Sequence, residues 1–231
     1  MLTKTRALVL RKIPYTDHSV IAKVFTEDCG LLSFIVQGVQ KSKTHNAYFQ
    51  PGNFLEIVFN LKKDGGLNRV KETRILNNEM GIPHPVILQI QQFYLELLSA
   101  SLQENQPENE LFAFLMEQWD NLKKSSSWSY HPIQFTLGLC SQLGYDVHWG
   151  GYTSVHLEKS NIVAEYAPNE GIKPQPAWMT IAVNRIQDGQ DLQLSRMERR
   201  DLLNALVLHL QFHAFPNKSL KSLAIIDEIN S

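Results

Sequence analysis

The chain has 231 residues, 43% of them hydrophobic, enough to bury a core without staples. With no apolar run of about 18 residues and no signal-like opening, a membrane or exported class is excluded and a cytoplasmic address expected. Its two cysteines, Cys29 and Cys140, are far apart in sequence and form no C-x-x-C half of a zinc site, so both are expected as reduced, structural thiols. The net charge of −1 conceals a division: residues 1–80 hold twelve Lys and Arg against seven Asp and Glu, whereas the rest holds ten against sixteen. A basic first third suggests an anionic partner on one surface, nucleic acid first among them, although ordinary uneven surface charge gives the same count.

From Met1 to about Leu76, short β-branched-rich segments alternate with turn residues. Five strands are predicted, over Thr5–Ile13, Ser19–Thr26, Leu31–Gln37, Asn53–Asn60 and Leu67–Leu76. Five strands in so short a stretch suit a closed barrel, because closure removes edges that a small sheet cannot protect. The five-stranded OB-fold is the common oligonucleotide-binding solution of this size.

After Pro83 and Pro85 the apolar period changes from two to about 3.6. Val86, Ile90, Phe93, Tyr94, Leu97 and Leu98 share one helical face, a second helix is predicted from about Glu108 to Leu122, and a third runs from about Pro132 to Leu143, closed by Gly144. Residues 145–194, rich in Gly and Pro, read as an irregular subdomain with short extended runs such as Asn161–Tyr166. A capping box, Ser195-Arg-Met-Glu198, then opens a helix that continues to about Phe215, and a short last helix is predicted over Ser219–Glu228. The fold class is therefore α+β, an OB-fold barrel over residues 1–80 followed by a mainly helical domain over 81–231 with an irregular, zinc-free insertion.

Catalytic motifs are missing. No P-loop and no G-x-G-x-x-G after a strand occurs, and His209-Leu-Gln-Phe-His213 has zinc-ligand spacing but neither the intervening Glu of a zinc protease nor an obvious third ligand. Those imidazoles are read as surface or inter-helix side chains, and no catalytic residue is assigned.

Single-strand binding needs cations along the phosphates and aromatic faces on which the bases stack. The candidate DNA-binding residues are Lys4, Arg6, Arg11, Lys12, Lys23, Lys41, Lys43, Tyr48, Lys62, Lys63, Arg69 and Lys71. Phe25, Phe34, Phe54 and Phe59 are expected to fill the barrel, which leaves Tyr15, Tyr48 and Phe49 in loops as stacking candidates. The loop Gln40–Asn46 is either a phosphate-gripping segment or a merely solvated one.

Three stretches together resemble the RecO family of recombination mediators. The first is Thr5-Arg-Ala-Leu-Val-Leu-Arg11 with Pro14-Tyr-Thr-Asp-His18, then Val24-Phe-Thr-Glu27, Gly30-Leu-Leu-Ser33, Gln37-Gly38 and Gln50-Pro51. The second is Phe135-Thr-Leu-Gly-Leu-Cys-Ser-Gln-Leu-Gly-Tyr145. The third is Leu194-Ser195 through Leu210 with Lys218-Ser-Leu-Lys-Ser-Leu223. The resemblance implies a non-catalytic protein without cofactor that binds single- and double-stranded DNA in the nucleoid and anneals complementary strands. It also implies contact with the acidic C-terminal tail of single-stranded-DNA-binding protein and, with RecR, help in loading RecA. Lys123, Lys124, Arg199 and Arg200 are candidates for the tail contact. The class-distinct alternative is a scaffold whose barrel binds a protein. Two departures from the family stand out. Many members carry four cysteines of a zinc ribbon after the second stretch, where this chain has none, so no zinc is expected. Two cationic positions of the family's basic loop are also neutral here, so DNA affinity is expected to be either weaker or shifted toward Lys62, Lys63 and Arg69.

Overall fold

A computed structural model describes residues 2–37, 47–62, 66–76, 84–147, 149, 152–158, 161–166, 175–190, 192–218, 220–223 and 226. The chain divides into two compact units, Met1–Lys123 and Lys124–Ser231. None of the helices among the described residues is long and apolar enough to cross a membrane.

The first unit is built on a closed five-stranded barrel, β1 (Leu2–Thr16), β2 (Ser19–Thr26), β3 (Gly30–Gln37), β4 (Phe54–Asn60) and β5 (Asn68–Ile75), in the order β1-β2-β3-β5-β4. The predicted OB-fold barrel is thus present. Strand β1 is longer than the hydrophobic alternation suggested because two neighbours share it: Leu2–Leu8 pairs with β4 and Ala7–Thr16 with β2. Register shifts at Val9/Arg11 and Pro14/Thr16 let it bend from one to the other, and the second also accommodates Pro14, which has no N–H to give a ladder. Strict alternation sends Ala7, Val9, Val20, Ala22, Val24, Leu32, Phe34, Val36, Leu55, Ile57 and Phe59 into one core.

Two helices complete this unit, α1 (Pro85–Ser101) and α2 (Asn109–Lys124). Helix α1 starts where His84 Nδ1 accepts the Val86 N–H at 3.3 Å and Pro85 occupies the first turn, where no N–H is needed. Phe112 and Trp119 of α2 meet the outward-facing Phe25 and Phe54, with ring centroids 5.6 to 6.0 Å apart. The connection between the helices lies along the start of β3: Asn105 N–H donates to the Leu31 carbonyl at 3.2 Å. It approaches so closely that a Cβ on Gly30, which has φ +70°, would collide with the Gln106 carbonyl.

The second unit contains α3 (His131–Gln142), a hairpin of β6 (Tyr152–Glu158) and β7 (Asn161–Tyr166), α4 (Ala177–Gln187) and α5 (Arg196–Ala214). Gly144, with φ +75°, closes α3, and its N–H donates to the Ser141 carbonyl at 3.0 Å. The capping box forms as predicted: Glu198 N–H donates to Ser195 Oγ at 3.3 Å, and Ser195 N–H to Glu198 Oε2 at 2.7 Å. The segment read as irregular holds a hairpin and a helix, α4. That helix follows Pro176 at its N-cap and buries Met179, Ala182 and Val183, one short apolar stripe. Half of the last predicted helix, Ser219–Glu228, falls outside the described residues.

Candidate nucleic-acid interface

The barrel register sorts the candidate cations onto two sides. Along β1, β4 and β5, Arg6 aligns with Glu56 and Glu56 with Arg74, while Lys4 aligns with Val58 and Val58 with Glu72. Charges alternate here and meet. Lys4 Nζ lies 3.1 Å from the Glu56 carboxylate. Arg6 forms a two-pronged pair with Glu27, its Nε donating to Oε2 at 2.7 Å and its Nη2 to Oε1. Arg6 Cζ stands 5.4 Å from the Phe112 ring centroid, so the guanidinium ties β1 to the end of β2 and to α2. The hydrogen bond to Glu27 holds the guanidinium pKa above its ordinary value, against the effect of burial.

The other side, formed by the second half of β1 with β2, β3 and the start of β5, is unbalanced. Arg11 aligns with Lys23 and Lys23 with Ser33; in the next row out, Ile13 aligns with Ile21, Ile21 with Ile35 and Ile35 with Arg69. Partners in register share a face, and since Ala22, Phe34 and their neighbours fill the core, this face is the outer one. Arg11, Arg69 and Lys71 are exposed, Ile13 is 42% exposed, and Ile21 and Ile35 are half-buried. Among the described residues, none of the strand positions on this side carries a carboxylate. Glu104, from the connection between α1 and α2, pairs with Lys23 at 3.2 Å.

Strands β3 and β5 run parallel and are joined at Phe34/Asn68 and Ile35/Arg69. Where they part, a depression of about 150 Å³ opens, lined by Ile35, Gln37, Phe49, Arg69, Lys71 and Thr73 among others. At the nearby β4–β5 turn, Lys62 is exposed and its N–H donates to Asn68 Oδ1 at 3.0 Å. Lys12 aligns with core residue Ala22, and its partial burial lowers the ammonium pKa. Lys41, Lys43 and Lys63 lie outside the described residues.

The aromatic expectations divide. Phe25, Phe34, Phe54 and Phe59 are buried as expected, and Tyr15 is 56% exposed at the β1–β2 hairpin. Phe49 is a correction: it is 2% exposed and belongs to the barrel core. The segment carrying it folds back on itself, Gln50 N–H donating to the Ala47 carbonyl at 3.3 Å and Gly52 N–H to Val9 at 2.8 Å, which drives the ring inward. Tyr48 is half-buried against the same core, its carbonyl held by Asn53 Nδ2 at 3.0 Å.

A barrel of this strand order, with one cation-bearing outer face, agrees with what the sequence is similar to. The family model for the recombination protein O N terminal matches residues 1–78, and that for the recombination protein O C terminal matches 88–150. The chain belongs to the RecO family. Relatives named DNA repair protein RecO include one from Christiangramia forsetii, 26% identical over 99% of each chain, and one from Flavobacterium psychrophilum, 28% identical over the whole of each. A third, from Chlorobium phaeobacteroides, is 33% identical over 63% of this chain and 57% of its own.

After α3 the sequence holds no cysteine. Cys140 is buried in α3, where burial pushes its thiol up to about 12, the opposite of what a metal-binding thiolate needs. Among the described residues, no group of three or more His, Cys, Asp or Glu stands ready to hold a metal ion. Instead, the segment after α3 lies on α5: His209 Nε2 and the Tyr145 carbonyl are 3.0 Å apart, His213 stacks on the Tyr145 ring at 5.2 Å, and Trp149 meets His209 edge-on. Of the tail-contact candidates, Arg199 donates to the Leu194 carbonyl at 2.6 Å and covers the Tyr130 ring, and Arg200 pairs with Asp201 at 3.5 Å.

Proposed function

We propose that this chain is a non-catalytic DNA-binding recombination mediator in DNA repair, which anneals complementary single strands and, with RecR, assists the loading of RecA. Family membership supports the reading, and the observation that carries it is the outer face bearing Arg11, Lys23, Arg69 and Lys71 without a strand carboxylate among the described residues. Annealing makes no covalent bond. It requires that phosphate repulsion be screened while two strands are held close, and a cationic surface that releases condensed counterions does both. Of the twelve candidate residues, those on or beside this face, Arg11, Lys23, Lys62, Arg69 and Lys71, form the proposed DNA set, with Lys41, Lys43 and Lys63 assigned to it by sequence; Lys12 aligns with core residue Ala22 and stands outside the set. Lys4 and Arg6 meet carboxylates on the opposite side, and Tyr48 faces the core. The acidic tail of single-stranded-DNA-binding protein is assigned to the helical domain. The test is annealing of complementary strands coated with that protein: acceleration by this chain is expected, and no acceleration overturns the reading. Binding of oligonucleotides that does not weaken with salt would instead favour a protein-binding scaffold.

A further inference from the structure

The outer face has a second property besides its charge. Ile13, Ile21 and Ile35 lie side by side across β1, β2 and β3, and Arg69 ends the row on β5. At ordinary strand spacing that row spans about 14 Å. One step along the strands on one side stand Arg11 and Lys23, and on the other Gln37 and Lys71 line the depression beside Ile35. An apolar stripe is therefore bordered by cations on both flanks. Two other outward apolar residues of the barrel are buried: Phe25 and Phe54 face outward too, but Phe112 and Trp119 cover them. Ile13 stays 42% exposed.

Resting on the DNA-binding reading above, we infer that the isoleucine row is the element by which this face selects unpaired strand over duplex. The two substrates offer different surfaces. A duplex presents phosphates outward and hides its base faces in the stack, so the cations can engage it while the isoleucines find no apolar partner. A single strand can lay its base faces on the row while its phosphates reach Arg11 and Lys23 on one flank, Lys71 on the other and Arg69 at the end of the row. Contact between base faces and aliphatic side chains carries no sequence information, which suits a protein that must pair any two complements. Charge complementarity commits the occupant to nucleic acid: the cations border the row, and none of its strand positions among the described residues is acidic.

The experiment compares an oligothymidine with a mixed-sequence duplex of equal length, at one salt concentration, by fluorescence anisotropy on the full chain. Ile21→Thr/Ile35→Thr keeps β-branched residues on both strands, so the barrel is retained and the thermal midpoint checks this. The double variant is expected to lose about tenfold in single-strand affinity, as two half-buried aliphatic contacts imply, with duplex affinity unchanged. Ile35→Tyr is expected to gain single-strand affinity by a stacking face, a change that a damaged fold cannot mimic. Equal losses on both substrates, or no loss on either, would overturn the inference while leaving cationic binding intact; the second result would free the row for a protein partner. Failure of the unsubstituted chain to bind either oligonucleotide would overturn the underlying reading as well.

Discussion

Arg6 shows how little a residue type says about its task until its neighbours are known. In sequence it is one cation among twelve in a basic segment. In the folded chain it makes a two-pronged pair with Glu27, covers Phe112 and donates to Met116 Sδ at 3.3 Å. Its side chain is 43% exposed, so solvent screens the pair, and Arg6→Ala is expected to cost about 1–2 kcal/mol of stability rather than the full strength of a buried pair. Denaturant unfolding checks the figure, and oligonucleotide affinity should hardly move; a large loss of affinity with unchanged stability would return Arg6 to the DNA-binding set. Phe49 makes the same point for aromatics. Alternation could place Phe34 and Phe59 inward, because a strand's period is local, but Phe49 is turned inward by backbone hydrogen bonds from Gln50 and Gly52 that no pattern in the sequence announces.

Among the elements, legibility followed the strength of the local signal. Strands β2 and β3 and helix α5 were readable because alternation or a capping box marks their ends. Helix α4 was not, because its apolar stripe is short and it sits between Pro176 and Gly189 in a stretch of turn residues. One helix end holds a group whose burial ties stability to pH. His131 is the first residue of α3, 8% exposed, and burial lowers its imidazole pKa; the positive end of the helix acts in the same direction. With the folded value below the unfolded one near 6.5, the unfolded chain takes the proton first, so stability contributed above that pH is lost as pH falls through it toward the folded value. His131→Asn should therefore flatten the fall in thermal midpoint between neutral pH and about pH 5. An equal fall in both proteins would contradict the assignment.

For the whole molecule, composition disclosed that the first third is basic but not where the charge acts. That depends on register across strands distant in sequence: Arg11 and Lys23 come together through β1–β2, and Arg69 joins Ile35 only because β3 and β5 close the barrel in parallel. The same closure brings Lys4, Arg6 and Arg74 among Glu27, Glu56 and Glu72, so a segment whose charges are mixed in sequence but basic in sum has one neutralised side and one cationic side. The central claim is that nucleic acid is held on the cationic side. Its most direct test is the salt dependence of single-strand binding by two double variants, Arg11→Ala/Lys71→Ala and Lys4→Ala/Arg74→Ala. Each lost phosphate contact lowers the slope of log affinity against log salt by about 0.7, so the first variant should lose about 1.4 from the slope and the second almost nothing. Equal slopes in the two variants, or a loss confined to the second, would contradict it.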